Sequence, residues 1–259
     1  MFRRHLFTSL VLTAIVGIGL GIIYPVAVWG IGQVAFPWRA NGSIITRNGK
    51  DIGSALLGQE FLDSKGNPEP QYFQPRPSDA GAGYDPTASG ASNLGPSDPR
   101  LDGFIPGFNT VDLNGNASAT NPFATNADPY CVPTDATTGD PVAAPSAGEK
   151  YAKNSDGSYV CDPNTVPERV LAYRQFNNLA STVQVPVDAV TASGSGLDPD
   201  ISVANADLQA ARVATARHLP LATVMALIHS HTNAPQWGFI GEKTVNVFDL
   251  NLALDALRA

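Results

Sequence analysis

Residues 6–29 read LFTSLVLTAIVGIGLGIIYPVAVW, and this stretch decides the class of protein. It carries no charged side chain, and it exceeds the roughly 20 apolar residues that are needed to cross the hydrocarbon core of a bilayer. A cleaved signal peptide is the alternative, but its apolar region is about 7–15 residues long and ends in small residues. Here Tyr24 and Pro25 occupy the place of that cleavage site. The sequence therefore predicts an uncleaved transmembrane helix over residues 6–30.

The charges that flank the span predict its orientation. Arg3 and Arg4 precede it, and the first charged residue after it is Arg39. Because positive charge next to a span favours the cytoplasmic side, we expect residues 1–5 in the cytoplasm and residues 39–259 outside it. The predicted location is the plasma membrane, with a single pass.

Small residues recur every four positions along the span. Such a stripe lets another transmembrane helix approach closely, because lipid supplies no hydrophobic drive for helix association. Chance recurrence is the alternative, since glycine is common in membrane helices. A partner helix would use the stripe, whereas a passive tether would not. Its members are Ser9, Thr13, Gly17 and Gly21.

Composition predicts an exported part that is rich in turns. The 259 residues include 24 glycines and 21 prolines, and only 15% are charged, which indicates few solvated helix faces. The net charge of −7 argues against nucleic acid as a partner, because phosphate binding needs a basic surface. Without Arg3 and Arg4, that −7 becomes −9 on the exported part.

Two segments near the start of the exported part have a predicted conformation. Residues 44–57 indicate a β-hairpin, because Asn48-Gly49 is a favoured two-residue turn between apolar runs. Residues 72–99 have no usable period and many turn residues, so they are either disordered or a long ordered loop. Tyr72, Phe73 and Tyr84 favour the ordered loop, because they offer apolar surface to bury.

Capping signals predict the helices of the C-terminal half. Thr165 and Glu168 form a capping box for a helix that continues to about Ala180. Ser202 is the predicted N-cap of a helix to about His218. Three more elements follow. A helix from Pro220 has Leu221, Val224, Met225 and Ile228 on one face, and a short terminal strand runs into a helix with Leu250, Leu254 and Leu257 on its core side.

Residues 101–165 are predicted to be a loop-rich insertion that contains the chain's two cysteines, Cys131 and Cys161. Outside the cytoplasm two cysteines most simply form one disulfide, and two unpaired thiols are the alternative. The insertion holds no histidine and too few cysteines for a metal site. The predicted fold class is α/β, with one N-terminal transmembrane helix and one extracytoplasmic α/β domain.

The sequence Ser193-Gly194-Ser195-Gly196 is the feature most suggestive of a ligand site. It is not a Walker loop, because that motif needs a lysine and none occurs between Lys153 and Lys243. Two interpretations remain: a likeness to the serine-glycine signature of transport ATPases, or a loop whose glycines relieve backbone strain before a helix.

No active site can be assigned from the remaining polar residues. His218, His229 and His231 are the only histidines beyond the N-terminus, and no carboxylate at metal-ligand spacing accompanies them. The G-x-S-x-G motif of serine hydrolases is absent. The sequence therefore predicts neither a metal nor catalytic residues.

Several blocks of the chain resemble KdpC, the C subunit family of the Kdp potassium-transporting P-type ATPases. These blocks are the N-terminal span and the stretches NGSIITRNGKDIGSALLGQEF, YFQPRPSDAGAGYDPTASGASNLGPSDP, VPVDAVTASGSGLDPDISVANADLQAARVATARHL and GEKTVNVFDLNLALD. They cover most of the chain outside residues 101–165, in the order in which the family has them.

The resemblance implies an accessory subunit without channel or pump chemistry of its own. Its partners would be a potassium pore subunit, a P-type ATP-hydrolysing subunit and a small single-span subunit. The family is also proposed to raise the ATP affinity of the hydrolysing subunit. The residues that match the proposed nucleotide contacts are Ser193, Gly194, Ser195, Gly196 and Gln209.

The predicted topology leads to a different hypothesis for the same residues. It places Ser193 to Gln209 outside the cytoplasm, where ATP is scarce, and no lysine or arginine adjoins the loop in the sequence. We therefore expect a packing surface at the start of a helix, in a subunit that holds the complex together and shapes the potassium entrance. A membrane-anchored extracytoplasmic hydrolase or solute-binding protein is the alternative function.

Overall fold

The computed structural model describes residues 2–95, 98–102, 131–137 and 151–257. The chain divides into two units, Met1–Leu56 and Leu57–Ala259. Mixed helix and sheet confirm the predicted α/β class. The predicted division into residues 1–5, 6–30 and 39–259 stays a prediction.

One continuous helix dominates the first unit. It consists of α1 (Phe2–Ile18), a π-helical turn (Gly19–Ile23) and α2 (Tyr24–Ala35). It is 34 residues long, and an 18-residue window within it has a mean hydropathy of 2.4. Among the described residues it is the one helix that is long and apolar enough to cross a membrane. Pro25 explains the π-turn, because its ring clashes with the carbonyl four residues earlier and it donates no hydrogen bond.

A short helix and a β-hairpin complete the first unit. Helix α3 (Pro37–Ala40) precedes strands β1 (Ile44–Arg47) and β2 (Lys50–Ser54), which pair antiparallel. The turn between them has Asn48 at φ 53° and Gly49 at φ 74°. Both residues tolerate this left-handed conformation, which confirms the predicted Asn-Gly hairpin.

Short strands alternate with helices in the described part of the second unit. Helices α4 (Pro99–Asp102) and α5 (Val166–Phe176) precede β3 (Asp200–Ser202), α6 (Val203–Arg217), α7 (Leu221–Ser230), β4 (Thr232–Asn233), β5 (Thr244–Asn246) and α8 (Val247–Ala256). Strand β5 lies between β3 and β4 and is antiparallel to both.

Polar side chains begin three of these helices. The side chains of Thr165, Ser202 and Asn246 accept hydrogen bonds of 3.2, 3.1 and 3.0 Å from the backbone N–H three residues later. Each bond satisfies a donor that the helix itself leaves unpaired. The predicted N-caps at Thr165 and Ser202 are therefore confirmed, and His218, which follows the last residue of α6, adopts the left-handed conformation of a C-cap.

The hydrophobic core of the second unit lies between α6, α7, α8 and the small sheet. Phe73 is completely buried in this core, and Tyr84 is also buried, so the predicted ordered loop is confirmed. Two boundary predictions were wrong. Leu257 follows the end of α8 and is 47% exposed, and α5 ends at Phe176 rather than near Ala180. The other buried members include Ile201, Val213, Val224, Ile228, Leu250 and Leu254.

The predicted insertion lies for most of its length outside the described residues. Its described parts, 131–137 and 151–165, are joined by isolated β-bridges such as Pro133 with Cys161. Cys131 and Cys161 form a disulfide across a sequence separation of 30 residues, with their Cα atoms 5.0 Å apart. This bridge lies in a small apolar cluster with Val132.

Candidate functional site

A cavity of about 270 Å³ opens beside α6 in the second unit. Prolines and the ring of Phe176 form its apolar walls. It is slightly smaller than the roughly 300–1,000 Å³ of typical small-molecule pockets. Gln209 lines it, but none of residues 193–196 does. Its charged and polar lining includes Glu60, Gln74, Arg76, Arg169, Tyr173 and Gln209.

The Gln209 amide bonds entirely to the chain itself. Its Oε1 accepts hydrogen bonds from the Gln74 backbone N–H (2.8 Å) and from Arg212 Nη2 (2.7 Å). Its Nε2 donates to the Gln74 carbonyl (3.0 Å) and to Asn205 Oδ1 (2.9 Å). A glutamine amide has two donor hydrogens and two acceptor lone pairs, so no capacity remains. A nucleotide could bind this amide only by breaking bonds that hold Gln74.

Asn251 of α8 binds the backbone of Phe73, the residue before Gln74, in the same way. Its Oδ1 accepts from the Phe73 N–H and its Nδ2 donates to the Phe73 carbonyl, both at 2.9 Å. Gln209 and Asn251 thus bond to the backbone of consecutive residues as a neighbouring strand would. We call residues 68–77 the proline segment and the two pairs of bonds the amide clamps.

Two arginines of α6 bond to carbonyls of the proline segment. Arg212 Nη1 donates to the carbonyls of Pro70 (2.6 Å) and Tyr72 (2.9 Å), and Arg217 Nε donates to that of Gln71 (2.6 Å). Burial lowers the pKa of the Arg212 guanidinium to about 10. The group tolerates burial because carbonyl and amide oxygens receive its donors and its plane lies 4.2 Å from the ring centre of Phe176.

The clamp at Gln209 belongs to a larger polar network. Asn205 Oδ1 also accepts from the Tyr173 hydroxyl (2.8 Å), and Asn205 Nδ2 donates to Asp188 Oδ2 (3.0 Å). Asp188 accepts in addition from the backbone N–H and the hydroxyl of Ser202, both at 2.8 Å. Burial raises the pKa of the Tyr173 phenol, which stays a neutral donor. The network joins α5, the start of α6 and the proline segment.

The Ser–Gly loop, residues 193–196, closes on itself and on residues 78–90. The hydroxyls of Ser193 and Ser195 accept from the N–H groups of Gly196 (3.0 Å) and Leu197 (3.1 Å). The Ser195 carbonyl accepts from the Gly90 N–H (2.9 Å). Gly194 and Ser195 are exposed, whereas Ser193 and Gly196 are buried.

Gly196 occupies a position that no other residue fits. Its φ is +70°, and a Cβ there would lie 2.6 Å from the Gly90 carbonyl oxygen and 2.8 Å from the Ala80 backbone nitrogen. Gly194 differs, because a Cβ at that residue would have no atom within 4 Å and its φ is not positive. One glycine of the loop therefore serves close packing, and the other is open to solvent.

Two arginines lie beside the loop although none adjoins it in the sequence. Arg76 bonds to the carbonyls of Thr191 (3.4 Å) and Ala192 (3.3 Å) and forms an ion pair with Asp198 at 3.2 Å. Arg169 Nη1 donates to the Val190 carbonyl at 3.4 Å, and burial lowers the pKa of its guanidinium. No lysine or arginine adjoins the loop in the sequence, but two arginines lie near it in the fold. Tertiary packing brings in positive charge from two distant segments.

The small-residue stripe is open along the first unit's helix. A Cβ added to Gly17 or Gly21 would have no atom within 4 Å. The Ser9 hydroxyl donates back to the His5 carbonyl at 2.8 Å, so it does not project as a free donor. None of the residues of α1 is buried. Thr13, the remaining member of the stripe, lies between Ser9 and Gly17 on the same helix.

Among the described residues, no group of three or more His, Cys, Asp or Glu side chains could hold a metal ion. The buried amides of Asn205, Gln209 and Asn251 instead bond to the backbone and to other side chains. The sequence contained one signal for this arrangement. Gln209 and Asn251 are amides on helix faces otherwise occupied by Ala206, Val213 and Leu250, and a polar residue at such a position needs a buried partner. The identity of that partner, the proline segment, was missed.

Comparison with known proteins places the chain among transport subunits. A family model described as "KdpC: K+-transporting ATPase, c chain" matches residues 6–140 and 137–256. A protein of Mycobacterium tuberculosis named "Potassium-transporting ATPase KdpC subunit" is 41% identical over 255 residues, which are 98% of this chain and 100% of that protein. Proteins of the same name are 40% identical in Gemmatimonas aurantiaca, over 99% of this chain and 94% of that one, and in Caulobacter vibrioides, over 97% and 93%.

The two glycines of the Ser–Gly loop give a matched test of its packing role. Gly196→Ala places a methyl group against backbone atoms in a left-handed conformation, so we expect the free energy of unfolding to fall by roughly 1–3 kcal/mol. Gly194→Ala should change it by less than about 0.5 kcal/mol, since its Cβ meets open space. Thermal or denaturant unfolding of the full chain in detergent measures both. Equal effects of the two substitutions would contradict this account of the loop.

Proposed function

The chain belongs to the KdpC family, the c chains of potassium-transporting ATPases, and from this membership we propose that it is the assembly subunit of a high-affinity potassium uptake complex. Its partners in this proposal are the potassium pore subunit, the ATP-hydrolysing P-type subunit and the small single-span subunit. Because the match to this family extends over nearly the whole chain, it argues against the alternative of an anchored hydrolase or solute-binding protein.

One observation supports a structural rather than a catalytic role. Gln209, which lines the cavity, and Arg212 of the same helix bond to the chain's own backbone and amides. A catalytic or ligand-binding group needs free capacity that faces the ligand. This favours a structural role, in which the second unit presents its surface to other subunits.

The proposed topology is one pass with a cytoplasmic N-terminus and an extracytoplasmic second unit. The continuous apolar helix Phe2–Ala35 supports a single pass. Arg3 and Arg4 before it support the orientation. With an acidic exported part, the subunit would raise the local cation concentration near the potassium entrance. At physiological ionic strength this effect extends only about 8 Å from the surface.

A second proposed activity is the family's effect on the ATP affinity of the hydrolysing subunit. Its proposed contacts are Gln209 and the Ser–Gly loop. Arg169 near that loop favours an anionic ligand, whereas the charge of Arg76 is balanced by its ion pair with Asp198. The complete hydrogen bonding of Gln209 favours a structural role for that residue instead.

Replacing Gln209 distinguishes the two roles of that residue. Gln209→Ala removes one amide clamp. Asn251→Ala removes the other, and it is the matched control because Asn251 bonds to Phe73 and does not line the cavity. If both are structural, each should lower the free energy of unfolding by roughly 2–4 kcal/mol, because a buried N–H and C=O lose their partners. ATP affinity of the assembled complex should then be equal for both variants and close to that of the wild type. A tenfold loss confined to Gln209→Ala, about 1.4 kcal/mol, would support a nucleotide contact.

The small-residue stripe gives the test of assembly. Gly17→Leu together with Gly21→Leu adds bulk where a partner helix would approach most closely, without opposing membrane insertion. We expect normal amounts of subunit in the membrane but loss of co-purification with the pump and loss of growth at low potassium. Gly19→Leu with Gly30→Leu is the matched control, since both glycines lie off the stripe and have open space around them. Intact assembly of the stripe variant would mean that the span is only a tether.

The disulfide gives the test of orientation. Both cysteines lie in the part proposed to be outside the cytoplasm. We expect a membrane-impermeant thiol reagent to label intact cells only after a reductant has opened the bridge. Labelling that requires permeabilised cells would reverse the proposed orientation.

A further inference from the structure

The loop between β4 and β5 presents aromatic side chains to solvent. Trp237 is 82% exposed, Phe239 is 77% exposed and Ile240 is 45% exposed. Residues 236–243 include no buried residue. We call residues 237–240 the aromatic tip. So much exposed aromatic surface is unusual for a turn that contacts only water.

The aromatic tip is a defined turn. The Gln236 N–H donates to the Ile240 carbonyl at 2.8 Å, and the Ile240 N–H donates to the Gln236 carbonyl at 3.0 Å. Trp237 and Gly238 lie between them with φ of 54° and 84°. The bonds that fix this turn are therefore made within residues 235–240 themselves.

Trp237 is a poor residue for the backbone position that it occupies. A left-handed conformation suits glycine and asparagine, whereas a bulky side chain adopts it at a cost. The Trp237 ring gives no compensating burial, since most of it is exposed. A strained, exposed aromatic at a turn points to a role outside the fold.

The charge of the loop restricts the kind of partner. Between His231 and Thr244 the only charged residues are Glu242 and Lys243, which cancel. This loop is neutral on a chain with net charge −7. A partner recognised by charge would need a charged loop. Trp favours the boundary between lipid headgroups and acyl chains, and Phe is common on the apolar face of segments that lie in this boundary.

We propose that the aromatic tip inserts into the lipid interface of the membrane to which the chain is anchored. This inference rests on the proposed function, because the spanning helix Phe2–Ala35 supplies the membrane. A tethered domain meets that surface at high effective concentration, so a small aromatic contact is sufficient. The contact would orient the second unit on the membrane before or during assembly with the pump subunits.

Fluorescence of single tryptophans in vesicles tests this proposal. The full chain contains Trp29, Trp38 and Trp237, so replacing the first two with Phe leaves Trp237 as the only reporter. This variant is placed in phosphatidylcholine vesicles, with and without lipids brominated on the upper part of the acyl chain. We expect about a twofold loss of Trp237 emission to brominated lipid and protection from aqueous iodide, since interfacial side chains lie about 5–10 Å into the headgroup and acyl boundary.

Two further variants separate the possible results. A chain with Val187→Trp as its only tryptophan reports from another exposed site, and we expect iodide quenching without bromine quenching there. A chain with only Trp29 reports insertion of the helix. Quenching of Trp29 by brominated lipid without quenching of Trp237 would overturn the proposed insertion of the tip while supporting the membrane-spanning helix. Absence of quenching at Trp29 would instead contradict the spanning helix.

Measurements on the complex assembled with the pump subunits distinguish a lipid contact of the tip from a protein contact. If Trp237 is unquenched by lipid in vesicles and becomes protected from iodide only in the assembled complex, its partner is a protein and the membrane proposal is wrong. Trp237→Asn suits the left-handed turn and should leave the melting temperature unchanged or raised. Combined with Phe239→Ser, it should lose protection of the tip from iodide, as read from a fluorophore at Glu242→Cys, which is exposed and has no left-handed backbone. Unchanged protection would overturn the proposal.

Discussion

The second unit depends on how one proline-rich segment satisfies its backbone. Pro68, Pro70, Pro75 and Pro77 cannot donate to a strand ladder, so residues 68–77 cannot join a sheet along their whole length. The segment nevertheless carries Phe73 into the core with no exposed surface. Buried N–H and C=O groups need partners, and the amide clamps from α6 and α8 provide them. Most of the polar arrangement of the unit follows from this requirement.

The same requirement explains how a cavity with several polar side chains in its lining can exist without an evident active site. Gln209 and Arg212 line or adjoin it, but their hydrogen-bonding capacity is used by Gln74, Pro70 and Tyr72. A partly satisfied buried network is costly, so these residues favour a single arrangement of α6 against the segment. For a subunit that binds other subunits, such rigidity keeps its surfaces in a fixed geometry. Among the described residues, we propose the open helix stripe for contact with other subunits and the exposed aromatic tip for contact with lipid.

Local signals in the sequence predicted the elements and their starts. Apolar length indicated a helix over residues 6–30, which lies within the observed helix Phe2–Ala35. Asn48-Gly49 indicated the hairpin, and Thr165 and Ser202 indicated two helix N-termini. The hairpin and the N-caps depend on neighbours within four residues, and the span depends on one continuous run, which is why sequence reasoning reaches them. The partners of the candidate site could not be found in this way. Gln209 bonds to Gln74 across 135 residues, and Asn251 bonds to Phe73 across 178, so both pairs depend on how the whole unit packs.

Amide hydrogen exchange at Phe73 and Gln74 tests the central claim most directly, which is that side-chain amides replace a strand partner for the proline segment. The account predicts that both backbone N–H groups exchange only when the unit unfolds globally, as slowly as the core amides of α6 around Val213. Exchange of Phe73 and Gln74 as fast as that of the exposed residues around Glu242 would contradict it, because the amide clamps would then contribute nothing to the fold.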